Sequence, residues 1–257
     1  VSITAGTSIL DADALVSSAN DPSQDITAVS LRLNAGTVIA DSVNHLETTV
    51  GTLTASSAGS VYLLEADDLT VGSVAVSVNR VGSAAGVSTV SDAAQADVRT
   101  SANGSIVLRS TAGSLTLTDG NTDGVVLSAN GSGNVLVQAV NAGKSITVNA
   151  DVTTGTGNLS VLAGLDLTLA AGADLLITGA TPGAASIDAE ATAGALLMSA
   201  TSTMSSSGTA ATARLKAGTS VTVGDISLAA GAVSITAGTS ILDADALVSS
   251  ANDPSQD

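Results

Sequence analysis

Hydrophobic residues alternate with small polar residues along much of this chain. In the run Ser114–Asp119, Leu115 and Leu117 alternate with Ser and Thr, and the same period recurs at Ile146 and Val148. Because successive side chains of a β-strand point to opposite faces, a period of two predicts short, half-buried strands. The pattern therefore predicts an all-β protein.

The predicted strands follow Ala-Gly dipeptides that recur along the whole chain. We take as corners the pairs that begin at Ala5, Ala35, Ala58, Ala85, Ala112, Ala142, Ala163, Ala193, Ala217 and Ala237, with further pairs at Ala171 and Ala230. Their mean spacing of about 26 residues leaves room for three short strands in each interval. Because glycine suits tight corners, strand triplets with Gly corners predict a parallel β-helix, or β-solenoid. We expect about nine to eleven coils per period, about 4.8 Å apart, with Val, Leu and Ile inside.

A longer repeat links the two ends of the chain. Val1–Asp25 and Val233–Asp257 are identical, so the long period is 232 residues. We interpret residues 1–232 as one full tandem repeat unit and residues 233–257 as the start of the next identical unit. Since NDPSQD runs directly into ITAVSLRLNAG, we expect consecutive units to form a continuous rod. We also expect both copies to occupy the same structural phase.

A string of β-sandwich domains is the rival fold, because it also contains many short strands. A sandwich core normally uses large aromatic side chains. Here Tyr62 is the single aromatic residue, and Phe and Trp are absent. The corner repeat is also too short for a domain, so the β-helix is favoured.

The chain is strongly acidic, with 23 acidic residues, seven basic residues and a formal net charge of −16. Such a surface repels nucleic acid and anionic membranes, and it keeps a long array soluble. The sequence also has no apolar run long enough for a transmembrane helix. We therefore expect no nucleic-acid partner and no membrane insertion. The expected partners are adjacent copies of the repeat, with lateral self-association as a further interaction.

One stretch resembles a known family. Ser145–Thr178, SITVNADVTTGTGNLSVLAGLDLTLAAGADLLIT, is similar to filamentous-haemagglutinin-like proteins and related giant bacterial surface proteins. The similarity lies in its Ala-Gly, Asn-Leu and Asp-Leu-Thr-Leu pieces, with weaker echoes over most of the chain. The resemblance implies a secreted right-handed β-helix filament used for adhesion, coating or display. The identical copy within a 232-residue super-repeat departs from the family pattern.

Acidic residues are the main candidates for chemistry. Parallel β-helices also occur among polysaccharide hydrolases and lyases, which use paired carboxylates. Paired acids occur here in DADA (Asp11, Asp13) and in EADD (Glu65, Asp67, Asp68). Residues two apart on a strand point to one side and so are able to form an acid pair. A solvated acidic edge is the favoured interpretation, because the basic residues are dispersed and aromatic platforms for sugars are missing.

His45 is the only histidine of the chain. Composition alone leaves a Ser–His–Asp triad open, but the sequence contains no G-x-S-x-G nucleophile motif. We therefore interpret His45 as part of a surface turn.

One loop matches the opening of a calcium-binding motif, D-x-N-x-D-G. Its oxygen ligands would be Asp119, Asn121 and Asp123. The acidic residue that closes such a loop is missing, because position twelve is Asn130. The alternative is a polar corner held by an Asx turn. We predict no firm metal site and no cofactor, with Ca²⁺ at this loop as the one candidate.

The sequence thus predicts a structural repeat of a giant extracellular bacterial β-solenoid fibre or surface adhesin, not an enzyme. It would act as a rod-like scaffold outside the cell or at the cell surface. The alternative is a polysaccharide-active β-helix enzyme, either a lyase or a hydrolase. Near-identical repeats favour the scaffold, because a rod gains reach from each added copy whereas an active site needs only one.

Overall fold

The computed structural model describes residues 1–12, 23–179, 185–208 and 210–245, and the described residues form an all-β structure. The strands of the first half are β1 (Ser2–Ala5), β2 (Ile26–Ala35), β3 (Leu46–Ser57), β4 (Val61–Glu65), β5 (Leu69–Val71), β6 (Ser73–Val81), β7 (Val87–Ala96), β8 (Val98–Thr100), β9 (Ile106–Ser110), β10 (Leu115–Leu117), β11 (Val125–Ala129) and β12 (Val135–Ala139). Those of the second half are β13 (Ile146–Val148), β14 (Asp151–Thr154), β15 (Leu159–Ala163), β16 (Leu167–Leu169), β17 (Leu175–Ile177), β18 (Ser186–Ala191), β19 (Leu196–Met198), β20 (Thr203–Ser206), β21 (Thr212–Ala217), β22 (Ser220–Val223), β23 (Asp225–Leu228), β24 (Ala232–Ala237) and β25 (Ser240–Asp243).

The strands stack into three parallel ladders, which we call sides A, B and C in the order in which the chain visits them. Side A contains β4, β9, β12, β15, β18, β21 and β24. Side B contains β5, β10, β13, β16, β19, β22 and β25. Side C contains β8, β11, β14, β17, β20 and β23. This winding about one axis confirms the predicted parallel β-helix.

The first turns are built from longer strands. β3 pairs with β4 on side A, with β5 on side B and with β8 on side C, so one strand serves a whole turn. β2 pairs with β3 along most of its length and forms the turn before it. β1 pairs with the end of β2 and therefore lies on side C. The described residues thus form eight turns with all three sides, with β1 before them and β24 and β25 after them. The prediction of nine to eleven coils per period is therefore too high, because the strands β6 and β7 take up residues that the prediction counts as part of the coils.

Inward side chains form continuous apolar columns, as the alternation predicted. The column on side A contains Leu63, Leu108, Val137, Val161, Ala189, Leu215 and Ile235. The column on side B contains Leu69, Leu115, Ile146, Leu167, Leu196, Val221 and Ile241. The column on side C contains Ile3, Leu33, Ala55, Val98, Leu127, Val152, Leu175, Met204 and Ile226. Only Ile3, Ile226, Ile235 and Ile241 are incompletely buried, because the described residues provide a neighbouring turn on one side of them only.

Glycines stack at the corner between sides C and A. A Cβ atom at Gly104 would overlap the backbone of Gly59, and one at Gly133 would overlap the carbonyl group of Gly104. Gly157 stands in the same relation to Gly133. At this corner glycine is required because the backbones of successive turns approach one another too closely for a side chain.

One predicted corner is wrong. Ala85 and Gly86 lie in the turn of an antiparallel hairpin formed by β6 and β7, not at a corner of the solenoid. This hairpin is inserted between β5 on side B and β8 on side C. Gln95 at its base donates a hydrogen bond from Nε2 to the carbonyl oxygen of Leu33, at 2.8 Å. An antiparallel hairpin has the same period of two as a solenoid strand, so alternation did not distinguish them.

The two copies of the repeated segment occupy different sides. Ser2–Ala5 pairs with Arg32–Ala35 on side C, whereas Ser234–Ala237 pairs with Arg214–Ala217 on side A. The expectation of a common phase is therefore wrong for the described parts of the copies. The remaining residues of both copies, 13–22 and 246–257, lie outside the described residues.

Candidate functional site

The loop predicted to bind calcium is a closed turn whose carboxylates already have partners. Asp119 Oδ1 accepts hydrogen bonds from the backbone N–H groups of Asn121 and Thr122, both at 2.8 Å, and its Oδ2 accepts one from Gly124 at 2.7 Å. These bonds, with that to Asn121 foremost, lower the pKa of Asp119. Asn121 Nδ2 donates to Asp123 Oδ2 at 3.2 Å. The geometry is that of an Asx turn stabilised by its own backbone.

Arg99 occupies the position where a cation would lie. Its guanidinium is 2.7 Å from Asp123 Oδ2 and 3.1 Å from Asp97 Oδ2, and it also donates to the carbonyl oxygen of Val125. Asp97 is buried, and burial raises its pKa. The hydrogen bond from the Gly120 N–H and the charge of Arg99 act in the opposite direction, and burial is the larger effect. Carboxylate oxygens of Asp97, Asp119 and Asp123 lie within 4.8 Å of one another. A divalent ion at this cluster would have to displace the guanidinium.

Sequence reasoning missed Asp97 because it lies in the turn before the loop and is brought there by stacking. Its backbone φ is +66°, a conformation that an L-residue other than Gly, Asn or Asp rarely adopts. A lone Asp before β8 carries no spacing signal of its own. The group of three carboxylates is therefore a property of the stacked turns, not of the local motif.

The acidic corner EADD divides between the core and the surface. Glu65 is 0% exposed, whereas Asp67 and Asp68 are exposed. Asp68 accepts a hydrogen bond from the Ser114 N–H at 2.7 Å and forms an ion pair with Lys144 at 3.3 Å. Both contacts lower the pKa of Asp68. The acids share one corner, but Glu65 lies inside the solenoid, beyond the reach of a polymeric substrate.

Glu65 is surrounded by hydrogen-bond donors. Its Oε2 accepts from Thr48 Oγ1 at 2.7 Å. Its Oε1 accepts from the N–H groups of Val50 at 3.1 Å, Ala66 at 3.0 Å and Asp67 at 3.3 Å. Burial nevertheless raises its pKa to about 7, and the neighbouring Asp67 side chain adds to the rise. Glu65 is thus a titratable group that fastens the corner between sides A and B.

The acidic pair DADA is described only in part, because Asp13 lies outside the described residues. Asp11 accepts a hydrogen bond from Asn44 Nδ2 at 2.5 Å. Its carboxylate lies within 4.8 Å of those of Asp25 and Glu47. Burial raises the pKa of Asp25, whose Oδ2 accepts from the Glu47 N–H at 2.9 Å. The first turns therefore contain a second group of carboxylates that stacking brings together.

His45 is not in an exposed turn, so that interpretation is wrong. It is only 7% exposed, and its ring stacks on Tyr62 with a centroid distance of 5.5 Å and an interplanar angle of 29°. Burial lowers its pKa, and the positive charge of Arg109 contributes. The two rings pack together because Tyr62 begins the turn that covers His45.

Two further surface features are formed only by stacking. On side A, Arg214 makes paired contacts to Asp188 at 2.8 and 2.9 Å, and Glu190 contacts both Arg214 at 2.7 Å and Lys216 at 2.9 Å. On side B, one outward ladder consists of Thr52, Thr70, Thr116, Thr147 and Thr168. The charges of the first feature neutralise each other, and the second is a single column of hydroxyl groups.

Comparisons with protein-family models, curated proteins and solved structures found no match to the chain. The described residues contain no helix that is long and apolar enough to span a membrane. The class of protein that the fold defines is a parallel β-solenoid.

Proposed function

We propose that the chain is a structural repeat of an extracellular β-solenoid fibre or surface adhesin and acts as a section of a rod. The observation that carries this proposal is the repeated segment. In one copy it pairs with the turn that follows it, and in the other it pairs with the turn that precedes it. A segment that pairs on both sides is what a continuous tandem array requires, because each turn of a solenoid is stabilised by its neighbours.

The last described strands support the same function. Among the described residues, β24 and β25 pair with the preceding turn through β21 and β22, and no described strand pairs with their other edges. Uncovered edges of parallel strands are templates for further pairing. The partner in this proposal is the next copy of the repeat, and the extracellular location rests on the resemblance of Ser145–Thr178 to bacterial surface filaments.

The experiment compares chains that contain one, two and four periods. At about 4.8 Å for each turn, we expect every added period to lengthen the rod by about 40 Å. Small-angle X-ray scattering gives the length and the cross-section together. Constant increments at an unchanged cross-section support the rod, whereas lengths that grow as those of beads on a flexible linker reject it.

A polysaccharide lyase or hydrolase remains the alternative function. The contacts of the candidate acids argue for the scaffold, because Glu65 is buried and Asp68 is paired with Lys144. We expect no turnover of acidic or neutral polysaccharides by the chain. Turnover that is abolished by Asp67→Asn or Asp68→Asn would favour the enzyme instead.

A further inference from the structure

The repeated segment uses different backbone atoms in its two copies. In the N-terminal copy, carbonyl oxygens accept hydrogen bonds from the turn that follows. Val1 O accepts from the Arg32 N–H at 2.9 Å, and Ala5 O accepts from the Gly36 N–H at 2.9 Å. Ile9 takes part in the same set, since its own carbonyl oxygen accepts from Ala40 at 2.8 Å. The residues involved are the odd-numbered ones of the segment.

In the C-terminal copy, the neighbouring residues bond to the turn that precedes. The N–H of Gly238, which corresponds to Gly6, donates to Ala217 O at 3.2 Å. The N–H of Ala244 donates to Val223 O at 2.9 Å. Alternate residues of a parallel strand direct their backbone groups to opposite edges. One copy of the segment is therefore able to make both sets of bonds at once, with no atom used twice.

The two sets of bonds fix the phase of the next unit. In the C-terminal copy, the segment SITA lies on side A. The edge of this segment that no described strand covers matches the edge that β1 presents to Arg32–Ala35. The last four residues of the strand ITAVSLRLNA in the next unit would accordingly pair with β24 on side A. In the described unit the same strand ends on side C. One period thus contains eight turns and one additional side.

The additional side arises at the turn that carries the hairpin. The Ala-Gly pairs at Ala35 and Ala58 follow strands of side C, whereas those at Ala112 and Ala142 follow strands of side A. The intervening pair, at Ala85, lies in the hairpin. Before the hairpin, the Ala-Gly corners therefore lie between sides C and A. After the hairpin, the corners at Ala112 and Ala142 and the later corners lie between sides A and B.

We infer that consecutive repeat units are rotated about the rod axis by one side, about a third of a turn, because a solenoid has no joint at which this offset could be reset. The inference rests on the proposed tandem rod and specifies its symmetry. The β6–β7 hairpins then project from three directions in succession, and every third unit faces the same way. A receptor or a neighbouring rod meets a hairpin on every side of the fibre.

The test uses a chain of six units that carries Ser83→Cys in each hairpin turn. The sequence contains no cysteine, so each unit receives one small maleimide-linked gold cluster. Ser83 is exposed, which makes the substitution compatible with folding. Ala142→Cys, in the exposed corner between β12 and β13, is a second labelling site on the solenoid itself and reports the same rotation without the hairpin.

Electron microscopy of the labelled rods distinguishes the outcomes. We expect clusters about 40 Å apart along the axis, with neighbours on different sides and the first and fourth clusters aligned. A straight rod with all clusters in one row, at either labelling site, would overturn the rotation and leave the proposed scaffold intact. A flexible chain of separate beads would overturn both.

Discussion

The two copies of the repeated segment are identical in sequence and differ in surroundings. In the N-terminal copy Ile9 is 8% exposed, because the strand bridge to Ile39 covers it. In the C-terminal copy the equivalent Ile241 is 55% exposed and pairs with Val221 of the preceding turn. In each copy a strand leads into a glycine corner, which is followed by an isolated bridge at Ile9 in the N-terminal copy and by β25 in the C-terminal copy. One corner joins sides C and A, and the other joins sides A and B. The segment therefore determines a corner, and its neighbours determine which corner it becomes.

The largest effects are expected at the leucines on which the two copies stack. Leu33 is the neighbour of Ile3 in the column of side C, and Leu215 is the neighbour of Ile235 in the column of side A. Both leucines are fully buried. Replacing either by Ala should cost about 2–5 kcal/mol through lost packing and the cavity left behind. Hydrogen exchange should rise in β1 and β2 for Leu33→Ala and in β21 and β24 for Leu215→Ala.

The matched control for this pair is Val29→Ala. Val29 belongs to β2 but is 85% exposed, so its substitution should leave stability and exchange nearly unchanged. If Leu33→Ala and Leu215→Ala increased exchange in the same terminal copy, the assignment of the copies to different sides would be wrong.

Glu65 tests the turn that carries the hairpin, which lies between the two copies. Its folded-state pKa of about 7 lies above its ordinary value of 4.5, so its contribution to stability is full below pH 4.5 and is lost as the pH rises through 7. Glu65→Gln should remove this loss, since the amide oxygen keeps the backbone donors and the amide nitrogen donates to Thr48 Oγ1. At pH 8 the variant should be more stable by up to about 3 kcal/mol.

Thermal unfolding between pH 4 and pH 8 measures this difference. The two proteins should be alike at the acid end and diverge as the pH rises. A variant that is less stable than the parent at pH 8 would show that the ionised carboxylate, with its four donors, is the form that the folded corner requires.

The equivalent glycines Gly6 and Gly238 provide a smaller but sharper contrast. A Cβ atom at Gly6 meets no atom within 4 Å, whereas one at Gly238 would overlap the carbonyl oxygen of Gly218. Gly6→Ala should be neutral or stabilising by a few tenths of a kcal/mol. Gly238→Ala should destabilise β24 and β25 by about 1–3 kcal/mol. Hydrogen exchange of each copy reports the effect locally, and equal effects at both glycines would contradict the close approach of Gly238 to Gly218 in the preceding turn.

The smallest effect is expected at the ion network beside the C-terminal copy. Arg214 is 44% exposed, so its contacts to Asp188 and Glu190 are screened by water. Arg214→Ala should cost less than about 1 kcal/mol, and the cost should fall as salt is added. Arg80→Ala in the exposed hairpin is the control for loss of a positive charge. A cost of several kcal/mol that salt does not reduce would mean that the network is part of the core of side A.

The sequence was sufficient for the strands because the physics that forms them is local. Alternation at Leu115, Leu117, Ile146 and Val148 predicted inward residues that are buried in the structure. Ala-Gly corners predicted chain reversals, but an Ala-Gly pair does not distinguish a corner between sides C and A from one between sides A and B. The assumed common phase of the copies failed for this reason.

The candidate site was less predictable because stacking brings together residues that are distant in sequence. Asp119 and Asp123 were identified from a local motif, yet their surroundings depend on Arg99 and Asp97 from the preceding turn. The burial of His45 depends on Tyr62 in the same way. Neither arrangement has a sequence signal until the register between turns is known.

Disulfide cross-linking tests most directly whether the two copies lie on different sides. Neighbouring turns are about 4.8 Å apart, which suits a disulfide between paired outward residues. Thr4 pairs with Asn34 on side C, and Thr236 pairs with Lys216 on side A. The double variants Thr4→Cys/Asn34→Cys and Lys216→Cys/Thr236→Cys should each form the bond on mild oxidation, as read by mass spectrometry of the digested chain. If the N-terminal copy lay on side A as the C-terminal copy does, Ser2 would lie over Ser23 of the following turn. The double variant Ser2→Cys/Ser23→Cys would then form a disulfide bond, and Thr4→Cys/Asn34→Cys would not. That result would contradict the account.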